Sequence, residues 1–173
     1  QRLRTSLKEE MEIALNAQLK MEAEASSKYL AMSSWCEANG YYYSAQYFYK
    51  QSNEEREHML KIFRYLIDQG VMAYSPEIGP VEHEYTSFRS VFEAALQSEI
   101  NVTNSINRLV GLCRRVDDYA TENFLMWFVQ EQVEEEINAR RALELFDVIG
   151  EEGVGRYTID RQIAKIGKLE ISE

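Results

Sequence analysis

The sequence predicts an all-α protein, a long four-helix bundle that ends in a short fifth helix. Four long segments repeat apolar residues at steps of three and four, which is typical of helices packed in a bundle. Only two of the 173 residues are proline, and both fall between the second and third segments. We expect one domain over residues 1–173, with the bundle at about 6–150 and the fifth helix at about 155–167.

The first predicted helix runs from about Ser6 to Ala38. Ser6 is a plausible N-cap, and Glu9, three residues later, would complete a capping box. Asn39-Gly40 ends the helix, because a glycine after the last turn accepts the left-handed backbone of a helix stop.

The second predicted helix runs from about Tyr42 to Gln69, and the segment 71–86 that follows has no helical period. This segment holds both Pro76 and Pro80, so we interpret it as a crossover loop. Neighbouring helices in an up-and-down bundle need only short turns. The long crossover therefore predicts that the second and third helices are parallel.

The third predicted helix spans about Ser87 to Arg115, and the fourth about Asp118 to Ile149. Gly150 ends the fourth helix, and a glycine-rich link leads to the fifth. At about 1.5 Å per residue, each of the four long helices is roughly 40–50 Å in length.

Carboxylates interrupt the apolar stripe of every long helix near its middle, and His58 is the one imidazole beside them. Each glutamate alone has an ordinary explanation, such as a partly exposed position, but all of them at one depth favours a metal site. Four or five inward carboxylates could not all stay ionised at pH 7 without a cation, because desolvation and mutual repulsion would raise their pKa values. Oxygen-rich ligation with one imidazole suits iron or manganese, and two adjacent ions would share bridging carboxylates. The glutamates are Glu22, Glu55, Glu99, Glu131 and Glu135.

Composition excludes several classes of function. The net charge of −10 argues against nucleic acid or an anionic membrane as a partner. No apolar run approaches the ~20 residues needed to cross a bilayer, and the start of the chain shows no signal-peptide pattern. We therefore expect a cytoplasmic protein. Cys36 and Cys113 continue apolar stripes and are interpreted as core residues.

Several motifs resemble those of the non-haem bacterial-type ferritins, within the ferritin-like di-iron carboxylate family. The resemblance covers essentially the whole chain. It is carried by residues 18–22 with Tyr29, residues 53–58, Glu99 on the third helix, residues 127–136, and residues 155–160.

The resemblance implies a set of iron ligands. One iron would bind Glu22, Glu55 and His58, and the second Glu55, Glu99 and Glu135, with Glu55 bridging. Gln132 would position oxygen or water, and Tyr29 would supply an electron; the alternative for Tyr29 is a core tyrosine with a buried hydrogen bond. The resemblance also implies a third iron site, which would use Glu54, Glu131, Glu134 and Glu135.

Two departures narrow the subfamily. Bacterioferritin and rubrerythrin-like proteins carry a second Glu-x-x-His on the fourth helix, where this chain has Gln132 and Glu135. Bacterioferritin places a haem-ligating methionine directly after the bridging glutamate, where this chain has Arg56. We therefore expect no haem.

The resemblance implies iron storage and detoxification. Fe²⁺ would be oxidised to Fe³⁺ by O₂ or H₂O₂ at a di-iron ferroxidase site inside each subunit, then mineralised in a homo-oligomeric shell of 24 subunits. One alternative is a di-iron oxidase or peroxidase of the rubrerythrin-like or bacterioferritin-like kind that stores no iron. A second is an acidic helical scaffold without enzymatic activity.

Overall fold

The computed structural model describes residues 4–170, and within that range it contains α-helices and no β-strand. The predicted all-α bundle with a short fifth helix is confirmed. The first three and last three residues of the predicted single domain lie outside the described range. The helices are α1 Glu9–Ala38, α2 Tyr42–Asp68, α3 Phe88–Arg115, α4 Tyr119–Ile149 and α5 Gly155–Ile166.

The start of α1 differs from the prediction. Lys8 is the N-cap and makes no side-chain capping bond, so the capping box expected from Ser6 and Glu9 is wrong. Residues 4–7 are non-helical, with Leu7 buried in the core. Thr5 Oγ1 accepts a hydrogen bond from the Leu7 amide (3.2 Å) and donates to Gln69 O (2.7 Å). Tertiary contacts at the far end of α2 thus outweigh the local capping signal.

Hydrogen bonds between helices establish their directions. As the residue number on α1 rises, the number of its partner falls on both α2 and α3, so α1 is antiparallel to both. It follows that α2 and α3 are parallel, as the long crossover predicts. The bonds join Ser26 to Ser52 and Ser33 to Ala45 between α1 and α2, and Gln18 to Ser105 and Tyr29 to Glu99 between α1 and α3.

The crossover between α2 and α3 contains no helix and is attached to α1 by Asn16. The Asn16 side chain donates to Met72 O (3.0 Å) and accepts from the Tyr74 amide (2.9 Å). The Asn16 carboxamide thus bonds two backbone groups of the loop. These groups lie outside regular secondary structure and need partners of another kind.

The core consists of two apolar clusters, one towards each end of the bundle. The cluster at the α5 end includes Phe48, Phe92 and Phe146, and the other includes Leu15, Ile62 and Phe128. The cysteines are buried, Cys36 in the first cluster and Cys113 in the second. The buried glutamates come from the middle of the long helices, at the level between the two clusters.

Helix α5 packs against α2 and α4 through Ile159 and Ile163, which join the cluster that contains Phe48. The corner that leads into α5 needs a glycine, because a Cβ on Gly155 would lie 1.9 Å from Gly150 O. Among the described residues, no helix is long and apolar enough to cross a membrane.

Candidate metal centre

Glu22, Glu55 and His58 form the first group of converging ligand atoms. Glu22 comes from α1, and α2 supplies the other two from one face, because residues three apart are neighbours on a helix. One ligand atom from each residue lies within 4.8 Å of the others, and all three side chains are buried. His58 Nδ1 lies 3.3 Å from Glu55 Oε2 and 3.8 Å from Glu22 Oε2.

The three facing atoms of this group have no hydrogen-bond partner. They are Glu22 Oε2, Glu55 Oε2 and His58 Nδ1. A buried polar atom without a partner costs about 1–3 kcal/mol, so three such atoms aimed at one point need an explanation. A cation bound between them would satisfy all three at once.

Glu55, Glu99 and Glu135 form a second group, again with ligand atoms within 4.8 Å of one another. The three glutamates come from α2, α3 and α4 and are buried. Glu55 belongs to both groups, so it is placed to bridge two cations.

The buried residues of the described chain include these carboxylates but no lysine or arginine. Within residues 4–170, His58 is therefore the one buried side chain that can carry a positive charge. Four carboxylates held in a low-dielectric interior repel one another, and an ionised set requires cations from outside the chain.

A third group consists of His58, Glu131 and Glu135, with Glu131 half-buried. Glu54 and Glu134 are absent from the converging groups found among residues 4–170. They instead line a cavity of about 300 Å³ that Glu131 and Glu135 share. Glu54 is half-buried and Glu134 is exposed, so this acidic cavity connects the buried centre to the surface.

Gln132 and Tyr29 both bond to Glu99. The Tyr29 hydroxyl donates to Glu99 Oε1, and Gln132 Nε2 donates to Glu99 Oε2 at 3.2 Å. Gln132 Nε2 also donates to Glu99 O (3.2 Å) and Thr103 Oγ1 (3.2 Å). Tyr29 is buried and stacks on Phe48 at 6.0 Å between ring centroids.

Burial raises the pKa of Glu55 well above its ordinary value, and the adjacent Glu22 raises it further. Burial also raises the pKa of Glu99 to about 7 and that of Glu135 to about 9. For Glu22, the neighbouring Glu55 and His58 outweigh burial and lower the pKa. Without a cation, the site thus retains protons. Burial likewise raises the pKa of Tyr29, which keeps its phenol protonated.

The buried stripe of α4 matches the predicted one at every second position, and elsewhere the residue one place further along the chain is buried. The sequence places Glu131 on the seam, but the residue buried there is Gln132, and Glu131 lies at its edge. Gln18 and Gln51 also bond to site carboxylates, at 3.2 Å to Glu22 and 2.9 Å to Glu135. Sequence analysis assigned these two glutamines no role. For Gln18 a signal was available, because it lies four residues before Glu22 on the same stripe.

The chain is similar to known proteins over most of its length. A family model described as "Ferritin-like domain" matches residues 12–149. A probable bacterial non-heme ferritin-like protein of Haemophilus influenzae is 37% identical over 152 residues, covering 88% of this chain and 92% of that protein. A bacterial non-heme ferritin of Campylobacter jejuni is 36% identical over 160 residues, covering 92% and 96%.

Solved structures give the same result. An open-pore ferritin from the hyperthermophilic archaeon Archaeoglobus fulgidus superposes with a TM-score of 0.89 at 32% identity, covering 92% of this chain and 97% of that one. The family model matches more than half of the chain, and several relatives exceed 30% identity over most of its length. The chain therefore belongs to the ferritin family.

Proposed function

We propose that this protein stores iron, and that each chain is a ferroxidase that oxidises two Fe²⁺ ions at the paired carboxylate groups. The observation that supports this most directly is the convergence of Glu22 Oε2, Glu55 Oε2 and His58 Nδ1, all buried and without partners. Carboxylate oxygens with one imidazole nitrogen are ligands that suit iron.

Charge balance favours two ions of Fe²⁺. Glu22, Glu55, Glu99 and Glu135 carry one negative charge each when ionised, and two divalent cations neutralise them. Oxidation to two Fe³⁺ leaves an excess of two positive charges in a buried site, which is unfavourable. Fe³⁺ then hydrolyses water, releases protons and leaves the site, which returns the site to the state that binds Fe²⁺.

The electrons balance with either oxidant. Two Fe²⁺ ions supply two electrons, which reduce O₂ with two protons to H₂O₂, or H₂O₂ with two protons to two waters. Gln132, bonded to Glu99 beside the second group, is in place to orient the oxidant or a water. Full reduction of O₂ to two waters takes four electrons and four protons; beyond the two electrons of the iron pair, Tyr29, bonded to the same carboxylate, would supply a third with its phenol proton, and a further Fe²⁺ the fourth.

Iron leaves through the acidic cavity in this proposal. Glu54, Glu131 and Glu134 line it, and Glu135 connects it to the buried centre. These four residues would form a third and looser iron position, since Glu54 and Glu134 do not converge with the other ligands and Glu134 is exposed. Fe³⁺ would pass through this position towards the mineral.

Assembly into a shell of 24 subunits completes the proposal. Large apolar side chains are exposed on the single chain, and subunit contacts would cover part of them. They include Ile13, Leu60, Met72, Val148 and Tyr157.

Iron loading tests the function. Apoprotein is loaded with Fe²⁺ without oxygen and then exposed to O₂ or H₂O₂, and we follow Fe³⁺ absorbance, iron bound per chain and particle size. We expect rapid oxidation and many irons per chain inside a large particle. Glu55→Ala and His58→Ala should lower the initial rate at least about tenfold, because they remove ligands. Glu57→Ala, an exposed residue on the same helix, is the control.

Two results would count against the proposal. Equal initial rates for wild type and Glu55→Ala would show that the paired carboxylates are not the site of oxidation. Rapid oxidation that stops at two irons per chain in a small oligomer would favour a di-iron oxidase or peroxidase without storage.

A further inference from the structure

Each buried glutamate of the centre except Glu55 accepts, on one of its oxygens, a hydrogen bond from the carboxamide of a glutamine. The three bonds run from Gln18 Nε2 to Glu22 Oε1 (3.2 Å), from Gln51 Nε2 to Glu135 Oε2 (2.9 Å), and from Gln132 Nε2 to Glu99 Oε2 (3.2 Å). Glu55, which both groups share, receives no such bond, and its Oε2 has no hydrogen-bond partner.

Each carboxamide has a defined orientation. A carboxylate that is ionised by a bound cation only accepts hydrogen bonds, so the NH₂ end of the glutamine must then face it. On α1, Ser105 Oγ from α3 donates to Gln18 Oε1 and so selects the same orientation. For Gln132, the Thr103 hydroxyl donates to Glu136 (2.6 Å) and is left to accept from Gln132.

Gln18 and Gln51 are themselves buried, with 2% and 8% of their surface exposed. A buried carboxamide is costly unless its bonds are made, and an aliphatic residue would fill the same volume without that cost. These two glutamines are therefore poor choices for packing alone, and their bonds point to a role at the carboxylates.

We infer that Gln18 and Gln51 are positioning residues, each for a different metal ion: Gln18 for the ion held by Glu22 and His58, and Gln51 for the ion held by Glu99 and Glu135. Each glutamine occupies one carboxylate oxygen and leaves the other for the metal. Glu55 receives no glutamine bond on either oxygen, which leaves it available as the bridging ligand. The inference rests on the proposed pair of metal sites.

The geometry at Glu22 illustrates the effect. Its Oε1 is held by Gln18, and its Oε2 is the unpartnered atom 3.8 Å from His58 Nδ1. Without the amide, both oxygens become available, and Glu22 can rotate or bind the ion through two atoms. Loss of a group that hydrogen-bonds a metal ligand typically weakens metal binding by about 10–100-fold.

Titration of apoprotein with Co²⁺, measured by calorimetry and by visible absorption, distinguishes the two sites. The binding step lost in His58→Ala identifies the first site, and the step lost in Glu99→Ala identifies the second. The test variants are Gln18→Met and Gln51→Met, since methionine has nearly the shape of glutamine but no donor. Gln46→Met, at an exposed position on α2, is the matched control.

We expect a reciprocal pattern. Gln18→Met should weaken the first step about 10–100-fold and leave the second step within a few-fold of wild type, and Gln51→Met should do the reverse. Co²⁺ absorption at the first site should also fall in Gln18→Met, because a second Glu22 oxygen raises the coordination number. Ser105→Ala should weaken the first step in the same direction but by less. Gln46→Met should leave both steps unchanged.

Two outcomes would overturn the inference. Unchanged steps in both glutamine variants would show that the amides do not position ligands, and equal weakening of both steps would show a general effect on the fold. If wild-type protein binds Co²⁺ no more tightly than Glu55→Ala does, the proposed function itself fails. That result is distinct from a failure of the inference about the glutamines.

Discussion

At the scale of single residues, the buried carboxylates lower the stability of the fold that contains them. Glu99, with a pKa of about 7, and Glu135, with a pKa of about 9, both have an ordinary value of 4.5. Below pH 4.5 such a carboxyl is protonated in both the folded and the unfolded chain, and its contribution to stability is fully present. As pH rises from 4.5 through the folded pKa, the unfolded chain gives up the proton more easily, so this contribution is lost. The metal-free chain should therefore become less stable as pH rises above 4.5.

Neutral isosteres should remove this dependence. We expect metal-free Glu135→Gln to gain stability over wild type by about 1.4 kcal/mol for each pH unit above 4.5, because the variant has no proton to lose. For Glu99→Gln the gain should level off near pH 7. Urea denaturation of chelator-treated protein from pH 4 to pH 8 measures the difference, with the exposed Glu134→Gln as control.

A constant difference between Glu135→Gln and wild type across this range would show that Glu135 titrates normally in the folded chain. The expected trade-off is that a substitution which removes a metal ligand also stabilises the metal-free fold. When metal is bound, the same substitution should instead destabilise the protein, because the cation favours the ionised carboxylates.

At the scale of elements, α5 supplies the N-terminal cap of α2. Tyr41 at the N-cap position of α2 makes no capping bond with its own side chain. Asp160 on α5 instead accepts hydrogen bonds from the Tyr43 amide (3.2 Å), the Ser44 amide (2.8 Å) and the Ser44 hydroxyl (2.7 Å). At the C-cap of α5, Lys50 Nζ donates to Gly167 O (2.8 Å). The middle and the C-terminal end of α5 are thus attached to α2, the helix that carries Glu55 and His58.

Removal of this cap should destabilise the protein. We expect Asp160→Ala to lower the free energy of unfolding by about 1–2 kcal/mol, the range for loss of an N-cap, and to speed hydrogen exchange at the Tyr43 and Ser44 amides. Asp147→Ala is the control, because Asp147 is exposed and its ion pair with Arg89 (2.8 Å) contributes little. Equal stability losses in the two variants would show that the Asp160 bonds add nothing specific.

At the scale of the whole molecule, the single chain leaves apolar surface uncovered on some helices and not on others. Among the described residues, the large exposed apolar side chains lie on α1, α2, α4 and α5, on the crossover and on the link between α4 and α5, and α3 contributes none. Leu60 on α2 is 45% exposed, and beside it a cavity is formed with Leu19, Phe63 and Ile78. Subunit contacts should therefore include this face.

A charge at this face should weaken assembly. We expect Leu60→Glu to shift the purified protein from a large particle to smaller species, because the charge would be desolvated in a subunit contact. Asn104→Glu adds the same charge at an exposed position on α3 and should leave the particle intact. Sedimentation of metal-free protein, compared with the 20.2 kDa of one chain, measures the outcome. Loss of the particle in both variants would place contacts on α3 as well.

Periodicity predicted the helices well, because each long helix buries one stripe over many turns. The predicted ends of α2, α3, α4 and α5 lie within one residue of those observed. The predictions failed where contacts with residues distant in the sequence determine the local structure. Thr5 and Leu7 make tertiary contacts that replace the Ser6 cap, and on α4 the apolar stripe alone does not say whether Glu131 or Gln132 faces inward.

The sequence by itself determined the kind of centre. One carboxylate near the middle of each buried stripe, with His58 three residues after Glu55, already indicated a metal site between four helices, because burial of so many carboxylates requires a cation. Only the tertiary structure decided which atoms lack partners, which glutamines hold the carboxylates, and that Asp160 caps α2. Those features depend on contacts between residues far apart in the chain, such as Gln51 with Glu135, and no local pattern records them.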